Sequence, residues 1–179
     1  TSLLGIVVAD VTNPFFFEIL RGAEKTAQDA GYTLLMVDAH ESDEAERRAL
    51  DRTLPLVEGM ILATSRLSDS SIRVAAKQRP TVVMNRHVTD VPSVLTDNAQ
   101  GMRSAVEHLA GLGHTSLAYA AGPEASWADG MRWRAFREAT RESDLQARRL
   151  GPYAPTLAGG LSAAKTLVRH SATAAVAYN

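Results

Sequence analysis

The sequence predicts an α/β protein of doubly wound parallel sheets, and three observations carry that prediction. Short apolar runs rich in β-branched residues alternate with stretches of helical period along the whole chain. The first run, Leu3 to Ala9, is unbroken, as a strand buried on both faces should be. Asn13-Pro14 then reads as a helix start, with Asn as N-cap and Pro at the first helical position, where its missing N–H costs nothing. In open α/β sheets ligands sit beyond the carboxyl ends of the strands, where helix N-termini also point. Asp10, Asn13, Phe15 and Phe16 therefore fall at a candidate ligand cleft.

The remaining elements come in order. Pro14 to Ala30 carries Phe15, Ile19, Ala23 and Ala27 at helical spacing with Phe16 and Leu20 alongside, and Gly31 suits the position after a helix end. Tyr32 to Val37 is a second strand, ending at Asp38. Ser42 to Leu54 reads as a helix whose Glu44, Glu46, Arg47 and Arg48 form a solvated face. Val57 to Ala63 is a third strand ending at Thr64-Ser65, Asp69 to Lys77 a short helix, and Pro80 to Met84 a fourth strand. Val94 to Thr96 makes a short fifth strand that delivers Asp97-Asn98.

Ala99 to Leu112 is helical and stops at Gly113. Ser116 to Ala121 is a strand, and Gly122-Pro123 turns the chain toward Trp127. Met131 to Glu142 is a helix with Trp133, Phe136, Ala139 and Thr140 inward and Arg134, Arg137 and Arg141 outward. A loop from Gly151 to Gly159, a helix from Gly160 to His170 and a strand from Ala174 to Tyr178 complete the reading. So many alternations predict two lobes, 1–113 and 114–179, with the boundary near Gly113-His114.

At 179 residues and 45% hydrophobic, the chain can bury a substantial core. Nineteen Lys and Arg against twenty Asp and Glu leave a net charge of −1, which argues against direct binding of a phosphate backbone. The absence of cysteine excludes disulfides, thiolate metal sites and cysteine nucleophiles. No apolar run approaches transmembrane length and no basic-then-apolar leader precedes Leu3. Thr1 stands directly before a buried strand and Asn179 directly after one, so the sequence is expected to be a segment with its second lobe incomplete.

Motifs for catalysis are wanting. The turn after the first strand, ADVTNP, has no glycine-rich dinucleotide loop. In Gly159 to Thr166, GGLSAAKT, Ala164 replaces the second glycine of a phosphate loop, so that stretch is read as coincidence. No nucleophile elbow or paired-histidine metal spacing appears among the histidines, and His108 and His114 read as helix-end cations. An enzyme is not expected, nor a cofactor or metal. Asp97 and Arg132 project from one edge of the sheet, where they either pair with each other or clamp the polar groups of a ligand.

Six stretches in register carry a resemblance that spans essentially the whole chain. Leu4 to Phe16, Val57 to Leu62, Val94 to Leu112 with its DNxxG and EHLxxLGH pattern (Asp97, Asn98, Gly101, Glu107 to Leu109, Gly113, His114), Gly122-Pro123, Arg132 with Phe136, and Ala175 to Asn179 resemble the effector-binding region of LacI/GalR-family transcription regulators. The resemblance implies the type I periplasmic-binding-protein fold, two Rossmann-like lobes with parallel sheets holding a small molecule, often a sugar or nucleobase, between them. It implies ligand contacts at Phe15, Phe16, Ser65, Asp97, Arg132 and Asn179, with Tyr153 as an aromatic lid; Asp10 and Trp127 join them by position.

It also implies a cytoplasmic repressor that acts as a homodimer, without membrane attachment, and reaches operator DNA through a helix-turn-helix headpiece that this sequence does not include. A solute-binding receptor of a sugar transporter is the alternative, since it shares the fold.

Overall fold

The structure, a computed structural model, describes residues 2–179. Leu3–Val8 forms β1, which lies between β2 (Thr33–Asp38) and β3 (Gly59–Ala63) in a five-stranded sheet of order β2-β1-β3-β4-β5, completed by β4 (Thr81–Met84) and β5 (Ser93–Val94). Every pairing is parallel, with Ile6 opposite Met36 on one side and Ile61 on the other.

Alternation along the strands sends side chains to opposite faces. Ile6, Val8, Ile61, Ala63 and Met84 meet Phe16, Ile19 and Ala23 of α1 (Phe15–Asp29). Val7, Met60, Leu62 and Val83 meet Leu50 of α2 (Asp43–Thr53) and Ile72 and Ala75 of α3 (Asp69–Gln78). Helices thus cover both faces, which is why the strands read as unbroken apolar runs.

The chain divides into two compact units, and the division falls between Leu95 and Thr96 rather than near Gly113-His114. Packing explains the correction. The helix α4 (Asn98–Gly111) lies against α5 (Trp127–Glu142), and its Val106 joins Phe136 and Ala139 in one buried cluster, so it belongs with the elements on its carboxyl side.

In this second unit β6 (Ser116–Ala120) is central to a parallel sheet of order β7-β6-β8, with β7 (Gln146–Leu150) and β8 (Ala174–Ala177). Tyr119 stacks on Trp133 at a centroid distance of 5.8 Å and packs at a tilt against Phe136 at 5.6 Å. The last helix, α6 (Leu157–Leu167), contributes no buried residue.

Local chemistry places the element ends. Asn13 Oδ1 accepts from Phe15 N at 3.0 Å, so α1 begins one residue after Pro14, and Gly31 takes φ +79 beyond its end, a conformation glycine adopts without strain. Thr156 Oγ1 accepts from Gly159 N, so α6 opens at Leu157 rather than Gly160. Gln146–Leu150, for which the sequence predicts no element, pairs along β6. Only its Leu150 is buried, so its charged residues carry no strand signal of their own.

Candidate functional site

The densest polar arrangement of the second unit lies at the carboxyl edge of its sheet. Ser126 caps α5, its Oγ accepting from Asp129 N at 3.2 Å. That turn carries Asp129, 1% exposed, beneath the end of β6. One carboxylate oxygen, Oδ1, accepts from Tyr119 Oη at 2.9 Å and Gly122 N at 2.7 Å; the other, Oδ2, accepts from Arg149 of β7 at 2.8 Å. A buried carboxylate is tolerated when each of its oxygens has donors and a counter-charge. Burial first, and then the adjacent Asp129 charge and its hydrogen bond, raise the Tyr119 phenol, which stays protonated as a donor.

One turn further along α5, Arg132 is half-buried and held on two sides. Its Nε donates to Asn98 Oδ1 at 2.8 Å and its Nη1 to the Tyr178 carbonyl at 2.6 Å, while Cζ lies 5.3 Å from the centroid of the Tyr178 ring. Nη2 meets no hydrogen-bond partner among the described residues. Of the two options open for Arg132 in the sequence, pairing with Asp97 is not the one adopted. Asp97 is exposed and caps α4, accepting from Gln100 N at 2.8 Å, and its neighbour Asn98, buried, takes the guanidinium instead. The arrangement suits recognition: a guanidinium with a fixed plane offers directional donors to hydroxyl, carboxylate or phosphate oxygens.

The other candidates of this unit occupy the same sheet edge or its loops. Trp127 is the first residue of α5 and half-buried. Tyr153 follows β7, half-buried, with its N–H on the Ala121 carbonyl at 2.9 Å. Asn179 follows β8 and is exposed. His114, expected at a helix end, also reaches β8's approach, its Nδ1 lying 2.9 Å from Thr173 Oγ1.

In the first unit the candidates also gather beyond strand ends. Asp10 follows β1 and folds back on Thr12, accepting from its N at 2.8 Å and its Oγ1 at 2.7 Å. The phenylalanines divide: Phe15 is 48% exposed, whereas Phe16 is 2% exposed and belongs to the core cluster under α1. Ser65, after β3, is buried. Its Oγ accepts from Leu67 N at 3.2 Å, and its hydroxyl also bonds Glu46.

Glu46 corrects the solvated-face reading of α2, because it is 2% exposed. Its Oε2 accepts from Arg66 N at 2.8 Å, and burial raises its carboxyl above the usual range against the opposing pull of Ser65, the Arg66 N–H and the charges of Arg66 and Arg86. The Arg66 guanidinium binds Glu41 through Nε at 2.8 Å, and Arg86 donates to the Ser65 and Leu67 carbonyls and to Asp69. The loop from Thr64 to Leu67 is therefore laced from three sides.

Sequence reasoning missed Asn98, Tyr178, Asp129 and Glu46 as parts of these arrangements. Asn98 and Tyr178 each stand beside a candidate residue, Asp97 and Asn179, and that adjacency was the available signal. Asp129 and Glu46 each also meet an arginine twenty positions away, Arg149 and Arg66, which no local pattern reports. Among the described residues no group of three or more His, Asp or Glu could hold a metal ion, and no helix is long and apolar enough to cross a membrane.

The ribose operon repressor of Halalkalibacterium halodurans is 31% identical over 147 residues, covering 81% of this chain and 44% of that protein. The chain thus spans less than half the length of that relative. A LacI-family sugar-binding transcriptional regulator from Escherichia coli complexed with phosphate is similar over 100% of this chain and 68% of its own, at 26% identity and a TM-score of 0.79. The periplasmic binding protein/LacI transcriptional regulator from Alkaliphilus metalliredigens complexed with D-xylulofuranose shares the fold, at a TM-score of 0.86 and 24% identity over 100% of this chain and 68% of its own. The family model described as periplasmic binding proteins and sugar binding domain of LacI family matches residues 1–179, and the chain belongs to that family.

Proposed function

We propose that this chain is the effector-binding part of a LacI-type transcriptional repressor and takes a sugar or related metabolite. The observation that carries the reading is Arg132, held by Asn98 and the Tyr178 carbonyl with Nη2 left to a ligand. Asp97, Trp127, Tyr153 and Asn179 are the further candidate contacts of the second unit, and Asp10, Phe15 and Ser65 those of the first. Phe16 supports Phe15 from below, with the rings edge-to-face at 5.3 Å.

In the longer protein a headpiece outside this sequence would bind operator DNA, two copies acting together in the cytoplasm. The effector changes DNA affinity only as far as it prefers one conformational state of the regulator. The Halalkalibacterium halodurans relative is a repressor, which favours regulation over solute uptake.

Calorimetric titration with D-ribose, D-xylulose and inorganic phosphate tests the site. For whichever of these binds, Arg132→Ala is expected to weaken affinity by about ten- to a hundredfold, the cost of losing a charge-assisted donor. Unchanged affinity in that variant would remove Arg132 from the site. With the longer protein, ligand-dependent release from operator DNA separates a regulator from an uptake receptor.

A further inference from the structure

Tyr178 makes more directed contacts around Arg132 than a core aromatic requires. Its carbonyl accepts from Arg132 Nη1 at 2.6 Å, and its ring lies beneath the guanidinium, 5.3 Å from Cζ to the centroid. Its hydroxyl lies 3.0 Å from Ser126 Oγ, the same oxygen that caps α5. The ring also fills the space beside Gly122, where a Cβ would come within 2.3 Å of Cδ1. Gly122 in turn is pinned through its N–H to Asp129.

The tyrosine is therefore clamped at both ends: the hydroxyl by the cap of α5, and the backbone by β6, through Tyr178 N on the Ala120 carbonyl at 2.9 Å. From that position it presents a π face and a carbonyl to one side chain.

We propose that Tyr178 is the positioning residue for Arg132, holding the guanidinium in a single orientation with Nη2 presented to ligand; this rests on Arg132 being a ligand contact. An arginine side chain has many rotamers, and ordering it at the moment of binding costs affinity. A guanidinium already fixed by Asn98 on Nε and by Tyr178 on Nη1 and its face avoids that loss. The division of labour is specific. Asn98 fixes the near end of the plane, the Tyr178 carbonyl fixes its rotation, and the ring excludes water from one face.

The Nη–Hη resonances of Arg132, assigned by their disappearance in Arg132→Lys, report the hold of Tyr178 through their exchange with solvent. Arg134, exposed on the same helix, is the internal reference. Tyr178→Leu removes the ring and is expected to speed exchange at Arg132 about tenfold with Arg134 unchanged; Tyr178→Phe, which loses only the hydroxyl clamp, is expected to speed it about threefold. An unchanged Arg132 rate in Tyr178→Leu overturns the proposal. Should that variant lose its dispersed amide spectrum, Tyr178→Phe decides alone, since a wild-type rate there overturns the proposal and a faster one supports it.

The same variants titrated with D-ribose are expected to lose about three- to tenfold in affinity. If Arg132→Ala binds D-ribose as wild type does while the exchange results hold, the positioning stands and the ligand reading falls. The two failures are thereby distinct.

Discussion

Glu46 in the first unit and Asp129 in the second are both buried carboxylates that fasten a loop at the carboxyl edge of a sheet, yet they are neutralised differently. Asp129 receives a guanidinium on Oδ2 in addition to a phenol and a main-chain N–H on Oδ1. Glu46 is held by a main-chain N–H and a serine hydroxyl, while the guanidinium of the same Arg66 is directed to Glu41. Burial raises the Glu46 carboxyl against the pull of Arg66 and Arg86, and the two sites differ in where the neighbouring guanidinium points.

Removal of each acid sharpens the contrast. Asp129→Ala strands a phenol, an N–H and a guanidinium together, and is expected to lower unfolding free energy by about 3–5 kcal/mol in urea titration. Glu46→Ala strands an N–H and a hydroxyl with no dedicated cation, and the expected loss is about 2–3 kcal/mol. If Glu46→Ala proved the costlier, counter-charge would not be what distinguishes the sites.

Arg149→Met tests whether the second site can be turned into the first. Asp129 keeps its neutral donors but loses its cation, and because the guanidinium is a third exposed, solvent screening limits the expected loss to about 1–2 kcal/mol near neutral pH. Urea midpoints of the variant and the wild type at neutral pH measure the loss. An unchanged midpoint would mean that the phenol and the N–H alone suffice for the carboxylate.

Glu46→Gln gives the smallest effect and the clearest sign. The folded carboxyl is raised above its unfolded value, so its favourable contribution is complete below the usual carboxylate range and is lost as pH climbs through the raised value. Glutamine is neutral throughout and can still accept from Arg66 N. The variant should match wild type in acid and exceed it by up to about 1 kcal/mol toward neutral pH. A variant advantage that shrank as pH rose would contradict the raised carboxyl.

Much of the architecture was legible in the sequence, because period and punctuation are local properties. The run Leu3 to Ala9, the Asn13-Pro14 start and Gly31 each act through neighbours in the chain, and β1, α1 and the end of α1 lie within a residue or so of their expected places. The strand Gln146–Leu150 escaped because a flanking strand with one buried residue carries no apolar period. The boundary escaped for a related reason: Gly113 ends α4, but what α4 packs against is a matter of surfaces, not of punctuation.

By itself, then, the sequence determined the parallel α/β class and the alternation of elements, since these are written in spacing and residue type, and its six matching stretches carried the family likeness. Tertiary structure alone decided that Arg132 turns to Asn98 and the Tyr178 carbonyl rather than to Asp97. It likewise separated Phe15 from Phe16 and drew Glu46 out of a charged helix face into the interior. Those outcomes depend on which groups compete for the same donors once water is excluded, and that competition is set by three-dimensional proximity among residues far apart in the chain.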